Sequence, residues 1–388
     1  MRIALLGWES LHSHYIGGVA VVVSELAASL ERKGHEVHVF TRMVEGQSQY
    51  DVIDGVHYHR CPFELNHNFI EEMNSMCASF QAEFSRVEDY SGRFDIIHAH
   101  DWLATNAMIW IKQSRESQCV LTIHSTEFGR CGNNFHGGES ESIRNIERAG
   151  TYWADKVTTV SHALRDEVKW MYEVPDEKIS MIYNGINPNK FDGFIDPSIV
   201  KGQYGVGPVD PTILFCGRLV YQKGPDILVD AIPMVLHHFP NAKFLFAGDG
   251  GMRDEVEWKA GELGIQHATR FLGNKNHYEL MDLFKACDVV CVPSRNEPFG
   301  IVILEAWSAG KPVVTSRNGG PGEFVAHEHN GLQIDPTPES IAWGLGTIFS
   351  DFEWLRTMGA NGRHAAETYF SWDSIGDQML DVYSDIII

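Results

Sequence analysis

The sequence predicts an α/β protein made of two consecutive doubly wound domains, each a parallel sheet with helices on both faces. Three observations carry this. The chain opens with an apolar run ending in glycine, then a polar loop, paired glycines and a stretch with helical spacing. The same strand-and-helix rhythm restarts after a segment rich in Gly, Pro and Asp near the middle. At 388 residues the chain is also too long for one ordinary domain, because about 150 residues per domain gives two to three.

Residues 2–7 form the first predicted strand, and Gly17-Gly18 lead into VAVVVSELAASLERK, a helix stopped by Gly34. Residues 36–41 alternate as a strand, so the opening is a βαβ unit. Apolar runs at 94–99, 120–124 and 156–161 extend the same parallel sheet. Residues 187–211 lose the rhythm and read as a linker. Beyond it come strands at 212–216, 243–247, 288–292 and 311–315, with helices at 226–237, 278–286 and 301–309. Ligands of such sheets sit beyond the carboxyl ends of the strands, so two domains place the expected site in the cleft between them.

Charge narrows the function. Asp plus Glu number 52 against 31 Lys plus Arg, a formal charge of −21, which argues against nucleic acid and anionic membrane as general partners. An anionic ligand must be held locally. The seven cysteines are scattered and form no CxxC pair, so neither a disulfide framework nor a zinc site is expected, and a reducing compartment fits. The start MRIALLGWES shows no signal-peptide pattern, so none is expected, and no run of about 18 apolar residues is present to span a bilayer. The expected location is cytoplasmic, without integral membrane association.

Gly17-Gly18 at a helix start offer backbone N–H groups to a phosphate, although two glycines there also make an ordinary tight turn. GWESLHSHYIGG lacks the G-x-G-x-x-G dinucleotide pattern. In the second half, Arg218 and Lys223 stand five apart just past a strand, a fork and a point charge suited to clamp a diphosphate. Solvated surface cations are the plain alternative. Glu297, in a Pro/Gly loop, and Glu305, on the next helix, are eight apart. A helical rise of about 1.5 Å per residue separates them by roughly 12 Å, wider than the carboxylate pairs of glycosidases, so two separate hydroxyl-binding roles fit better. His98 and His100 share a strand face but lack the further ligands of a metal site. Cys287 and Cys291 read as packing residues.

These motifs together resemble the retaining glycosyltransferases of the GT-B fold, specifically glycosyltransferase family 4, with local similarity to glycogen and starch synthases. The resemblance runs along essentially the whole chain: GG at 17–18, DIIHAHDW at 95–102, HSTE at 124–127, ADKVTTVS at 154–161, NGI at 184–186, GRL and KG within 217–224, AGDG at 247–250, FLG at 271–273, EPFGIVILEA at 297–306, NGGPGE at 318–323 and FSW at 370–372. It implies two Rossmann-like domains facing across a cleft: an acceptor domain at 1–188 joined by the tail 373–388, and a donor domain at 189–372.

Carried over, the resemblance implies that Gly17, Gly18 and the following helix meet the donor phosphates, and that Arg218 and Lys223 stabilise the leaving diphosphate. Glu297 would bind donor-sugar hydroxyls and Glu305 the ribose. The backbone of Phe299, Gly300 and Ile301 would meet the sugar and distal phosphate, Leu272 and Gly273 would border the base, and His124 would sit against the donor sugar. Asp101, Trp102 and Arg130 would lie on the acceptor side. No metal or other cofactor is implied, since the cations and N–H dipoles meet the charge growing on the phosphate.

One departure matters. The glucan-synthase branch carries lysine two residues before the paired glycines, and here that residue is Tyr15, which weakens the expectation of ADP-glucose; the expected donor is ADP- or UDP-glucose, with the base left open. Arg130, Arg144 and Arg148 in the polar segment 124–150 fit a phosphorylated acceptor or a neutral glucan end, and NGGPGE is also similar to sucrose-type synthases. The expected activity is transfer of a hexosyl, chiefly glucosyl, unit with retention to a carbohydrate hydroxyl, with α-glucan extension first and a small phosphorylated acceptor second. A nucleotide-sugar epimerase and a non-catalytic nucleotide-sugar-binding module are the rival classes. The sequence leaves the oligomeric state open.

Overall fold

The computed structural model describes residues 1–387, which form two compact units. The first comprises Met1–Asn184 and the segment from Trp372 onward; the second is Gly185–Ser371. The first thus ends at Asn184 rather than 188, and Trp372 rather than residue 373 opens the returning segment.

The first unit is built from β1 (Arg2–Gly7), α1 (Gly18–Arg32), β2 (Glu36–Arg42), β3 (Tyr50–Ile53), β4 (Val56–Cys61), α2 (Phe69–Ser91), β5 (Ile96–His100), α3 (Asp101–Arg115), β6 (Cys119–Ile123), α4 (Glu127–Arg130), α5 (Glu139–Trp153), β7 (Lys156–Thr159), α6 (His162–Tyr172) and β8 (Ile179–Met181). Its strand order is β3-β4-β2-β1-β5-β6-β7-β8. All neighbours are parallel except the β3–β4 pair. Residues Ile3 to Leu6 and Ile96 to Ala99 are wholly buried, as strands covered by helices on both faces require. The β3–β4 hairpin went unread in the sequence. Its turn is Asp54-Gly55, both at positive φ (51° and 81°), the two-residue chemistry that favours a tight hairpin.

The second unit contains α7 (Pro197–Gln203), β9 (Thr212–Cys216), α8 (Pro225–His238), β10 (Lys243–Ala247), α9 (Arg253–Glu262), β11 (Thr269–Gly273), α10 (His277–Ala286), β12 (Val289–Val292), α11 (Ile301–Ser308), β13 (Val313–Ser316), α12 (Pro321–Phe324), β14 (Gly331–Ile334), α13 (Pro338–Phe349) and α14 (Phe352–Tyr369). Its sheet is wholly parallel in the order β11-β10-β9-β12-β13-β14. The expected linker at 187–211 is instead folded into this unit. Phe191, Val200 and Val206 are buried there, and Lys201 Nζ reaches Asp288 Oδ2 at 3.0 Å. Its Asp and Pro are helix-start residues: Asp196 accepts from Ser198 N–H as the cap of α7, with Pro197 in the first turn.

The chain then returns to the first unit as α15 (Trp372–Ser384) and lies along α1. Ser29 Oγ donates to the Trp372 carbonyl at 2.8 Å, and Tyr383, fully buried, brings its hydroxyl to 2.7 Å from His98 Nδ1. All seven cysteines are free, and burial pushes the thiols of Cys77, Cys119 and Cys287 up to about 12. Among the described residues no helix is long and apolar enough to cross a membrane. Apart from the β3–β4 hairpin at the edge of the first sheet, the chain order reverses between β1 and β5 in the first sheet and between β9 and β12 in the second. Ligand sites of doubly wound folds form at that reversal.

Candidate active site

In the second unit the loops leaving β9, β10 and β11 are laced backbone to backbone. Gly217 N–H donates to the Ala247 carbonyl at 3.0 Å, Leu219 N–H to Asp249 at 2.9 Å and Gly248 N–H to Gly273 at 2.9 Å. A Cβ on Gly248, at φ 136°, would stand 2.0 Å from the Gly217 carbonyl oxygen, so the lacing requires glycine. This is why GRL, AGDG and FLG occur together. It places Leu272 and Gly273 at the end of β11 and leaves Arg218 exposed in the turn after β9.

Lys223 closes the 3-10 turn Tyr221–Lys223 before α8. Its Nζ donates to both carboxylate oxygens of Glu297 at 2.8 Å. Glu297 is only 4% exposed and also accepts from Ser294 Oγ at 2.8 Å. Arg295 braces this turn: it pairs with both oxygens of Asp226 at 2.9 and 2.7 Å, donates to the Tyr221 carbonyl and lies 3.9 Å from the Tyr221 ring centroid. Burial opposes the ionisation of Asp226, and the Arg295 guanidinium outweighs it, holding the carboxyl below its usual range. The segment around Gly319 clasps the Glu297 loop, with Glu297 N–H donating to Asn318 (3.2 Å) and Gly320 N–H to the Glu297 carbonyl (2.9 Å). A Cβ on Gly319, at φ 90°, would lie 2.1 Å from that carbonyl oxygen.

Gly300, at φ 92°, precedes α11, which has no side-chain cap. The first-turn N–H groups at Ile301 and the positive end of the helix dipole are thus available to an anion. Phe299 turns its ring into the core against Phe324 and Phe370, so only its backbone borders the loop. Glu305 lies on α11, half-buried, and burial alone raises its carboxyl to about 7. A carboxyl shifted this far by burial marks a candidate functional residue.

In the first unit, Gly17, expected to give its N–H to a phosphate, gives it to Glu9. The Glu9 carboxylate accepts from Ile16 N–H at 2.9 Å and Gly17 N–H at 2.7 Å. Burial raises the Glu9 carboxyl against these N–H groups. Gly18 is the first residue of α1. Across the β1/β5 reversal, Asp101 takes a left-handed φ of 58°, and its Oδ1 accepts the His124 backbone N–H at 2.7 Å. Asp tolerates that conformation better than most residues. Strain of this kind gathers at functional sites. His124, buried at the end of β6, has its Nε2 3.0 Å from His100 Nδ1, the rings stacked at 5.3 Å.

Two expected acceptor residues are occupied otherwise. Trp102 is 7% exposed and packs edge-on against Phe69. Arg130 pairs with Glu127 at 3.0 Å and Glu147 at 2.5 Å and donates to the Ser125 carbonyl at 2.7 Å. Burial opposes its charge, and the glutamates outweigh burial, so its pKa rises. Arg130 therefore braces the loop after His124. Arg144 and Arg148 line a separate groove of about 370 Å³ with Phe135, Glu141, Trp170 and Tyr172. His98 spends both nitrogens on Tyr383 and Thr122, and among the described residues no cluster of His, Cys, Asp or Glu is arranged to hold a metal.

Sequence reasoning missed Glu9, Ser294, and the Arg295–Asp226 brace. The brace joins residues 69 apart in sequence, and Ser294 and Glu9 act on near neighbours, Glu297 and Ile16-Gly17, through loop conformations that no helical or strand spacing announces. His100 had been noticed only as half of a rejected metal pair.

Comparison with known proteins finds family matches over both halves of the chain. Residues 16–190 match the family model Glycosyltransferase Family 4, and residues 200–365 match Glycosyl transferases group 1. An uncharacterized glycosyltransferase of Methanocaldococcus jannaschii is 38% identical over 392 residues, covering 99% of this chain and 98% of that protein. A glycogen synthase of Mycobacterium tuberculosis is 28% identical, covering 99% and 94%. The solved sucrose-phosphate synthase from Thermosynechococcus elongatus superposes with a TM-score of 0.84 at 24% identity, covering 99% of this chain and 98% of that one; it shares the fold.

Proposed function

This chain belongs to glycosyltransferase family 4, a GT-B transferase, and from that premise we propose that it moves a glucosyl unit from a nucleotide diphosphate sugar to a carbohydrate hydroxyl with retention. The observation that carries the reading is the Lys223–Glu297 pair, set beside the uncapped start of α11 at the sheet's reversal point. Cleaving the sugar–phosphate bond puts negative charge on the departing phosphate, where fixed cations and N–H dipoles lower the barrier most. Lys223, Arg218 and the backbone at Phe299, Gly300 and Ile301 supply them, so the reaction as proposed calls on no metal or other cofactor. Gly18 and the start of α1 also meet the donor phosphates.

Glu297 is the hydroxyl acceptor for the donor sugar, and it holds Lys223 in place until that sugar arrives. Glu305 takes the ribose hydroxyls, Leu272 and Gly273 border the base, and His124 meets the sugar. The acceptor attacks from the face the phosphate leaves, and the phosphate oxygen takes its proton. The glycogen synthase relative favours a glucan end as acceptor. The Arg144–Arg148 groove favours, as second reading, a small phosphorylated acceptor.

The test is a screen of UDP- and ADP-glucose against glucans, sugar phosphates and no acceptor, with product anomers read by NMR. Retained α-linked product on a glucan supports the reading. An inverted anomer, or a new epimer made without acceptor, overturns it.

A further inference from the structure

Among the buried polar atoms of the first unit that have no hydrogen-bond partner in the protein are His100 Nε2 and Trp372 Nε1. His100 is 1% exposed and Trp372 3%. Both residues line one small cavity, of about 10 Å³, with Thr122, Thr158, Tyr183 and Asn184. That is the space of a single water, and a water is held where polar groups converge on it. Trp372 Nε1 can only donate. Leaving either atom desolvated and unpaired costs about 1–3 kcal/mol.

The chemistry of the neighbouring rings fixes how such a water must point. Burial keeps His98, His100 and His124 neutral, so each ring has one N–H and one lone pair. His100 Nδ1 and His124 Nε2, 3.0 Å apart, need one donor and one acceptor. If His100 carried its proton on Nε2, two donors would face the cavity, and the water's own hydrogens would need two further acceptors. The Thr122 and Thr158 hydroxyls are already engaged, 2.5 Å from each other and with Thr122 Oγ1 2.6 Å from His98 Nε2. If His100 carries its proton on Nδ1, the water accepts from Trp372 and donates one hydrogen to the His100 lone pair, which leaves one further acceptor to be met instead of two.

We propose that one buried water bridges Trp372 Nε1–H to His100 Nε2, fixing His100 as its Nδ1–H tautomer and, through the His100–His124 contact, fixing His124 as its Nδ1–H tautomer. His124 then offers the site a hydrogen-bond donor at Nδ1, fitted to a sugar hydroxyl oxygen rather than to removing a proton. His100 and Trp372 are positioning residues, acting through His124. Only the sugar contact rests on the function proposed above; the tautomers do not.

Neutron diffraction from deuterium-exchanged crystals of the full chain tests this directly. The expected result is a D2O in the cavity with deuterium on Nδ1 of both His100 and His124. A dry cavity, or deuterium on His100 Nε2, overturns it. In solution, 15N-histidine correlation spectra of the wild type and Trp372→Phe provide a second readout. The His100 and His124 nitrogen shifts should move toward mixed tautomers while His98, held by Tyr383 and Thr122, stays put; unchanged His100 and His124 shifts count against the water bridge. If Trp372→Phe does not fold, the wild-type neutron map alone decides. A correct tautomer map with no glycosyl transfer would sink the proposed function and leave this inference standing.

Discussion

Gly319→Ala isolates the clasp on the Glu297 loop. The added Cβ lands 2.1 Å from the Glu297 carbonyl oxygen, at a backbone φ of 90°. The left-handed conformation alone costs about 1–2 kcal/mol for a residue with a Cβ. Reaching the shortest tolerated contact, 3.0 Å, requires the two segments to part by 0.9 Å. That motion breaks the 2.9 Å bond from Gly320 N–H to the same oxygen and drags the Glu297 carboxylate with it. Misplacing a catalytic group by about 1 Å can cost about 100-fold in rate, some 2.7 kcal/mol. The assay pairs donor-dependent turnover with calorimetric nucleotide binding. The expected result is kcat down about 100-fold with nucleotide affinity nearly kept, since the base and ribose are assigned to Leu272, Gly273 and Glu305. Gly346→Ala is the control: it lies within α13 with nothing within 4 Å of the added carbon, so it should leave turnover alone and stabilise by about 0.5–1 kcal/mol. Gly319→Ala with wild-type kcat and wild-type Tm would refute the clasp.

Lys223→Ala should lower kcat about 100- to 1000-fold, as loss of one charge-stabilising donor does. It should also cost up to about 3 kcal/mol of stability, because Glu297 loses the cation that offsets its burial; turnover near wild type would contradict the leaving-group role. Glu305→Gln should change stability in a pH-dependent way. The folded carboxyl, raised to about 7, holds its proton where the unfolded one has released it, so wild-type stability falls as pH climbs from the ordinary carboxylate range through 7. The variant does not titrate, so its Tm relative to wild type should rise between pH 5 and pH 8; a flat difference would exclude a raised carboxyl.

Much of the architecture was legible because buried parallel strands leave apolar runs punctuated by glycine. β1, β6, β9 and β10 were found this way, and so was the start of α1 at Gly17-Gly18. The misread linker shows the limit: Asp196, Pro197 and Gly202 mark a short capped helix as readily as a flexible segment, and only the tertiary pairing of Lys201 with Asp288 decides. At the site, the residues in motifs were found, but what occupies each was not. A sequence lists Lys223 and Glu297 as separate roles, whereas folding brings them to 2.8 Å and makes them one neutral pair. Arg130 looked like a free cation because Glu147, its partner, lies 17 residues away on another helix.

The return of α15 imposes an order on synthesis. Ribosomes build domains from the amino terminus, yet the seats for Trp372 and Tyr383 beside His98, Val22 and Leu26 are made by residues translated hundreds of positions earlier. The contiguous segment Gly185–Ser371 has all its strands once Ser371 emerges, while the nascent amino-terminal half must wait with an apolar seam along α1 uncovered. A gene truncated after Ser371 would keep that seam exposed for good, and an isolated amino-terminal half would need the α15 segment grafted on to stay in solution.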